Sequence, residues 1–345
     1  MSTVSLLTTD EQQVEFSCEA DETIVAAAKR QGYYLQAQCQ QGSCGACVAT
    51  TTDRDNILLN GYDSQVLSEQ DLSQGKVLLC CTTVSADTQF QLPYSRNLIS
   101  DCAPQRRDAT IAKIEALNAD TYRLILQLDE HPDFGLGFDF EPGQFAQLFI
   151  PGTEICRPYS MAIAPGFTGE LEFFIKIRKG GAFSTFLSEQ AVVDMPLSLE
   201  GPFGSFMLSD NGFKPRLFIA GGCGLASTLS MLRRMAEWQE SHPATLLFGV
   251  WNQHELFALP EIKALCQELP QLDVKICITE GDLPESVELP MYSGSLLKVL
   301  AGWVDEEKVK SDVYICGSTG LINSTKAYCL EQGFEENAIY YEYFR

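Results

Sequence analysis

Histidine is scarce here: three residues in a chain of 345, none before His131. The first 130 residues therefore lack the side chain that most often joins cysteine in mixed zinc sites. Positive charge is also thin, with 24 Lys and Arg against 46 Asp and Glu, a net charge of −22. A surface of that sign is wrong for nucleic acid, whose phosphates demand cations. It suits steering onto a basic patch of a protein partner, although solubility alone accounts for it equally well. No apolar run reaches the length of a bilayer span, and the N-terminus does not read basic-then-apolar as a signal peptide does. Neither membrane nor export is expected, and a cytoplasmic location is. Thirteen cysteines, an odd number, fit a reducing compartment with metal ligation better than a disulfide framework.

What is present is a cysteine constellation. Cys39-Gln-Gln-Gly-Ser-Cys44-Gly-Ala-Cys47 is answered by Cys80, and C-x4-C-x2-C with one distant cysteine is the spacing of a plant-type [2Fe–2S] site. Gly42 and Gly45 permit the tight loop and leave N–H groups free to turn toward sulfur. A zinc site or scattered core cysteines is the competing reading, but zinc usually shows paired C-x2-C or histidine ligands. Around this loop, residues 1–98 read as one small α+β unit. Val4–Thr8 and Gln13–Cys18 form a hairpin, and Asp21 to Arg30 is a helix with acids first, bases last and Gly32 beyond. Ser68-x-x-Asp71 is a capping box. Lys76–Thr83 is a strand that delivers Cys80, with strand alternation turning Cys81 to the opposite side as packing; Thr88–Pro93 closes the unit.

Residues 99–107, with Pro104 and a basic pair, read as a linker. From 108 to 212 short alternating strands follow: Ala109–Ala116, Thr121–Leu128, Gln144–Ile150, Leu171–Ile177 and Met195–Glu200. Their Gly and Pro punctuation is that of an antiparallel β-barrel. Arg157-Pro-Tyr159-Ser160 stands at the start of a strand, and Gly180-Gly-Ala-Phe183-Ser184 opens a helix. An arginine beside an aromatic suits a phosphate and a flat ring, and a helix N-terminus with small residues suits a pyrophosphate. Residues 213–345 alternate buried strands (Arg216–Ala220, Thr245–Trp251, Val274–Thr279, Asp312–Cys316) with helices (Leu225–Gln239, Glu255–Glu268, Ser295–Trp303, Leu321–Gln332). This is an α/β doubly wound parallel sheet. Its first strand runs into Gly221-Gly222-Cys223-Gly224, suggestive of a nucleotide loop although not G-x-G-x-x-G. Cys316-Gly317 ends a strand at the ligand edge of such a sheet; on spacing alone a buried structural cysteine is favoured.

In that order, the cysteine loop, R-P-Y-S, G-G-A-F-S, G-P-F-G, G-G-C-G and C-G resemble the ferredoxin–NADP reductase superfamily with a fused N-terminal ferredoxin. Glu141-Pro-Gly-Gln-Phe145, Ile150-Pro-Gly-Thr153 and Tyr340-Tyr-Glu342-Tyr-Phe344 strengthen the likeness, which spans essentially the whole chain. It is nearest to the reductase components of bacterial multicomponent oxygenases, those of soluble methane monooxygenases in particular. The resemblance implies a β-grasp ferredoxin domain, a flavin barrel and a nucleotide domain, with [2Fe–2S], FAD and NADH as cofactors. It implies that Arg157 pairs with the flavin phosphates, Tyr159 stacks on the flavin and Ser160 hydrogen-bonds near its reactive nitrogen. Lys176 and Arg178 lie on the next flavin-side strand, and Gly181 and Ser184 cradle the pyrophosphate. Gly221, Gly222 and Gly224 form the nicotinamide-nucleotide loop; Cys316 and Gly317 lie beside the nicotinamide with Glu342 nearby, and Phe344 covers the flavin. Ser160, Cys316 and Glu342 are thus the implied catalytic set.

This sequence departs from the family at Cys223, where threonine is usual, at Ser227, where proline is common, and at Ser318-Thr319, where two prolines often follow Cys-Gly. Gln40 replaces a frequent arginine in the cluster loop. The segment Trp251-Asn-Gln-His254-Glu255 contains no Arg or Lys to meet a 2′-phosphate, which predicts NADH over NADPH. The implied function is electron transfer from NADH through FAD and the cluster to the hydroxylase of a diiron monooxygenase acting on methane or another small hydrocarbon. A Rieske-type aromatic-ring dioxygenase is the alternative partner. A non-catalytic carrier with a degenerate nucleotide domain, supported by Cys223 and Ser318, is the alternative of a different class; a membrane-bound quinone reductase subunit shares the fold but would need an anchor.

Overall fold

Every second side chain of the first two strands, Val4, Leu6, Val14, Phe16 and Cys18, is apolar and buried, the period-two pattern of a sheet with one face on a core. Ser2–Leu7 and Gln13–Cys18 accordingly form an antiparallel hairpin. This computed structural model describes residues 1–344 apart from Gln38, Cys102, Asn211, 285–287 and 305–307, and leaves out the side chain of Val309. Its backbone separates into two compact units, Met1–Gln105 with Phe203–Ser205, and Arg106–Pro202 with Phe206–Phe344.

In the first unit the hairpin belongs to a mixed five-stranded sheet, in the order Gln13–Cys18, Ser2–Leu7, Thr88–Gln91, Val48–Thr50, Lys76–Leu78. Helix Ile24–Arg30 lies on it through Ile24, Val25, Ala27 and Ala28, capped by the Thr23 hydroxyl accepting from the Ala26 N–H. The Ser68 capping box forms with both reciprocal bonds. The expected strand Lys76–Thr83 is broken. Lys76–Leu78 ends, Leu79–Cys81 turns as a 3-10 helix, and Thr82–Val84 pairs with Ile57–Leu59 in a separate ladder. The Leu79 N–H donates to the Cys47 carbonyl at 3.0 Å, and the Thr82 hydroxyl bridges back to the Leu78 carbonyl at 2.8 Å. These two bonds hold the turn against the cysteine loop.

In the second unit, six strands run in the order Cys156–Ser160, Phe145–Phe149, Pro196–Phe203, Gln105–Ala116, Thr121–Leu128, Glu170–Lys176. A bridge between Met161 and Phe173 ties one end of this row to the other, giving a nearly closed antiparallel barrel filled by residues such as Leu124, Leu126, Phe173 and Leu199. Arg157-Pro-Tyr159-Ser160 makes up the strand Cys156–Ser160 from its second residue to its last. The strand Gln105–Ala116 begins inside the expected linker because Arg107 is buried: its guanidinium donates to the carbonyls of Gly137, Asp129 and Gly135. A buried guanidinium satisfied by three carbonyls fixes that stretch of backbone.

The remaining sheet is parallel throughout, in the order Met291–Ser293, Leu272–Ile278, Ala244–Val250, Arg216–Gly221, Asp312–Gly317, Ile339–Tyr343. Its central strands are apolar end to end because helices cover both faces. The two outermost strands, short or half-polar, were beyond the reach of an apolar-run criterion. The helix expected from Glu255 begins at Leu259, after Ala258 in a left-handed conformation and with Pro260 in its first turn, where proline's missing N–H costs nothing. Barrel and parallel sheet are joined by an ion network. Glu172 is ion-paired with Arg123 at 2.8 Å and accepts a hydrogen bond from Arg233, and Arg123 reaches Glu261 and Glu115. Glu172 is almost fully buried, so these arginines are what makes its charge tolerable there.

Candidate functional site

The order of the parallel sheet reverses direction between Arg216–Gly221 and Asp312–Gly317, which are adjacent although 90-odd residues apart in the chain. The carboxyl ends of two strands at such a switch point leave a crevice for a ligand. Gly221–Gly224 and Cys316-Gly317 occupy that edge. A Cβ on Gly224 would stand 2.3 Å from the Cys316 carbonyl oxygen, so only glycine allows the loop to lie against the neighbouring strand end. Gly222 answers a different need. Its φ is +54° and a Cβ there would meet nothing within 4 Å, so it turns the backbone beside open space. The loop then enters helix Leu225–Glu237, whose first amides have no intrahelical acceptors.

Across the crevice the barrel contributes Ser160, and the last strand of the parallel sheet contributes Glu342. The Ser160 hydroxyl donates to Glu342 Oε2 at 2.9 Å, and the Ser227 hydroxyl donates to the same oxygen at 3.3 Å. Ser227 also stands 3.6 Å from Cys316 Sγ. All four residues are buried. Burial first, and then the Glu342 charge, push the Cys316 thiol well above its ordinary pKa, so it is a protonated, neutral sulfur at physiological pH. The Phe344 N–H donates to the Gly317 carbonyl at 2.7 Å, fixing that aromatic beside the strand end. Ser227, read from sequence only as a substitution for proline, is thus a member of the cluster; a small hydroxyl in place of proline was its one signal.

On the barrel, Arg157 is exposed and half-buried Tyr159 lies against Phe183, ring centroids 5.0 Å apart. Burial raises the Tyr159 phenol. Helix Ala182–Glu189 starts at Gly181, and the Ser184 hydroxyl accepts from the Arg178 N–H at 2.9 Å. That bond ties the glycine turn to the first helical turn, so Ser184 acts on the turn itself. Arg178 lies in the loop after Glu170–Lys176 and not on the strand. Lys176 is held at 3.1 Å from Asp120 and 3.3 Å from Glu255. Burial lowers its pKa, but the two carboxylates outweigh this and raise it overall. Cys223, half-buried in the glycine loop, has its thiol pushed up to about 12, by burial above all.

In the first unit, the Leu79 N–H bond to the Cys47 carbonyl sets the 3-10 turn that carries Cys80 beside the loop that carries Cys39, Cys44 and Cys47. Among the described residues no three potential ligands converge on a single ion position. Four cysteines from one loop and one turn, with no histidine beside them, suit a two-iron cluster better than one zinc ion. The backbone fits as well: the Gln41 and Ser43 N–H groups donate to Cys39 Sγ at 3.4 and 3.2 Å. A bond from Cys44 and these amides hold the Cys39 thiol far below its ordinary value, at about 4. The 3-10 turn changes one expectation. Cys81 is not on the opposite side from Cys80; the two sulfurs are 3.7 Å apart.

Three family models match in sequence: a 2Fe-2S iron-sulfur cluster binding domain over 7–85, an oxidoreductase FAD-binding domain over 108–208 and an oxidoreductase NAD-binding domain over 218–327. Methane monooxygenase component C of Methylosinus trichosporium is 41% identical over 249 residues, 72% of each chain. The reductase component of propane 2-monooxygenase from Mycolicibacterium goodii is 31% identical over 96% of this chain and 94% of its own. The chain belongs to the reductase components of multicomponent oxygenases. The family also takes in the electron transfer component of toluate 1,2-dioxygenase from Pseudomonas putida, 31% identical over 94% of this chain and 92% of its own. An Amycolatopsis cytochrome P450 reductase, GcoB, shares the fold, with a TM-score of 0.75 at 22% identity over 99% of this chain and 98% of that one. The chain is an oxidoreductase using a [2Fe–2S] cluster, FAD and a nicotinamide nucleotide. No helix among the described residues is long and apolar enough to cross a membrane.

Proposed function

We propose that this chain is the NADH-dependent reductase of a cytoplasmic diiron monooxygenase that hydroxylates methane or another small hydrocarbon. Its domains are 1–98, 108–212 and 213–345, with 99–107 between the first two. The observation that carries the reductase half is the buried meeting of Ser160, Glu342, Ser227 and Cys316 at the switch point. The partner rests on the likeness to the methane and propane monooxygenase components. Once bound, the three groups supply hydride donation, conversion of an electron pair into single electrons, and single-electron carriage.

The chain's own residues do the rest. Arg157, exposed at the strand end, pairs with the flavin phosphates, and Tyr159, braced by Phe183, offers its ring to the flavin. Gly181, whose own N–H donates to the Arg178 carbonyl at 3.0 Å, opens the helix whose first turn receives the pyrophosphate. Gly221, Gly222 and Gly224 shape the nicotinamide-nucleotide loop, Gly317 holds the strand end against it, and Phe344 covers the flavin face. Ser160 presents a hydroxyl whose proton is oriented by Glu342. Cys316, neutral and buried, fills the nicotinamide side without adding charge where hydride passes. Lys176, clasped by Asp120 and Glu255, keeps the loop after Ala244–Val250 against the barrel, and Arg178 frames the glycine turn. Cys39, Cys44, Cys47 and Cys80 hold the two irons.

Anaerobic titration with NADH, followed in the visible spectrum, tests this. Sequential loss of flavin and iron–sulfur absorbance is expected; an unbleached flavin would return the chain to the carrier alternative. Cys80→Ser should keep NADH oxidation with two-electron acceptors and lose delivery to the hydroxylase. The toluate relative favours a second reading, a Rieske-type dioxygenase as partner. Presenting the reduced protein to a purified diiron hydroxylase and to a Rieske oxygenase separates the two by which one turns over.

A further inference from the structure

Cys81 is a thiol outside the ligand set that packs at the edge of the first unit's core, directly beside a ligand. Its Sγ lies 3.7 Å from Cys80 Sγ and 3.8 Å from the Gly61 carbonyl oxygen. It also fills the space beneath the cluster loop. A Cβ on Gly42 would come within 2.6 Å of that sulfur, 2.7 Å of Tyr62 Cα and 2.9 Å of the Gly61 oxygen. The Cys81 backbone is tied down on the same side, its carbonyl accepting from the Asn60 N–H at 3.0 Å, while the Gly42 carbonyl accepts from the Asp63 N–H at 3.0 Å. The sulfur is therefore wedged between Cys80 and the backbone of Gly42 in the cluster loop.

A ligating thiolate has no proton, so within the Cys80–Cys81 pair only Cys81 can donate. Its proton has two acceptors at nearly equal distance, one a neutral carbonyl and the other a charged sulfur, and a hydrogen bond to the charged acceptor is the stronger. We propose that Cys81 is a tuning residue of the cluster: its S–H donates to Cys80 Sγ and raises the cluster's reduction potential by stabilising the extra negative charge of the reduced state. Hydrogen bonds to the ligating sulfurs are among the features that set such potentials. The inference rests on the reading that Cys80 is the fourth ligand.

The test compares the full-length holoprotein with Cys81→Ala and Cys81→Ser, measuring iron and sulfide content and the midpoint potential by EPR-monitored redox titration. All three should carry the same iron. Cys81→Ala should titrate at a more negative potential than the parent, and Cys81→Ser, which keeps a donor, should lie between them or at the parent value. If Cys81→Ala does not load, Cys81→Val supplies the volume without the donor and takes its place. An unchanged potential in the donorless variant overturns the proposal while leaving Cys80 as ligand. Loss of iron from both donorless variants, with Cys80→Ser keeping a full cluster, overturns instead the ligand assignment on which the proposal rests.

Discussion

Ser160 and Glu342 are 182 residues apart in the chain and share a 2.9 Å hydrogen bond in a buried site. One comes from the barrel and the other from the parallel sheet, so the bond exists only when the two sheets are correctly packed. Removing the carboxylate with Glu342→Ala leaves Ser160 and Ser227 without their common acceptor. Misplacement of reacting groups by about an ångström costs about a hundredfold in rate. Stopped-flow reduction of the bound flavin by NADH should slow by that order in Glu342→Ala, with cluster absorbance unchanged; an unaltered rate removes Glu342 from the site.

Nucleotide preference is the second expectation. Trp251 to Glu255 contains no Lys or Arg, and Glu255 is held in place by Lys176 and by Asn252 at 3.3 Å each. A fixed carboxylate next to the end of the second parallel strand disfavours a 2′-phosphate. Steady-state kcat/KM should favour NADH over NADPH, and Glu255→Gln should narrow the gap. Equal use of the two nucleotides by the parent contradicts this reading.

The ion network at Glu172 makes the third case. Glu172→Leu removes the shared ion-pair partner of Arg123 and Arg233. Stranding cations that were paired in a mostly buried place costs about 3 kcal/mol, here reduced because both arginines keep some solvent access and Arg123 retains Glu115 and Glu261. Chemical denaturation should show the flavin-bearing unit losing stability while the ferredoxin unit keeps its own midpoint. A uniform shift of both transitions is the adverse result.

Protonation offers a fourth. Burial works to raise the Asp71 pKa, but bonds from Ser68 and Lys76 outweigh it and the net shift is downward. A carboxyl whose folded pKa is depressed contributes stability above its unfolded pKa of about 3.9 and loses it as pH falls through the folded value. Asp71→Asn should therefore cost the first unit about 1 kcal/mol at neutral pH, and the difference should vanish in acid below that value. A penalty that persists unchanged into strong acid would assign the effect to packing.

Much of this was legible beforehand, for identifiable reasons. The cysteine spacing, the capping box and the long apolar strands each follow from local chemistry, and the fold reproduces them. The turn at Leu79–Cys81 was not legible because it is set by a partner far away in sequence, the Cys47 carbonyl, and strand alternation therefore misplaced Cys81. Arg107 was read as part of a linker's basic pair because its three acceptors are carbonyls spread over Asp129 to Gly137, and backbone carbonyls leave no mark in a sequence. Ser227 could be placed only after the sheet order brought helix Leu225–Glu237, Cys316 and Glu342 together.

The glycine loop divides sharply into positions that can and cannot change. Gly224 lies so close to Cys316 that even one methyl group has no room, whereas Cys223 beside it already carries a half-buried side chain. For anyone altering nucleotide use in this reductase by random variation, that difference decides where a library is worth building. Diversity at 223 explores the pocket, and diversity at 224 only samples chains whose two nucleotide-binding strand ends can no longer meet.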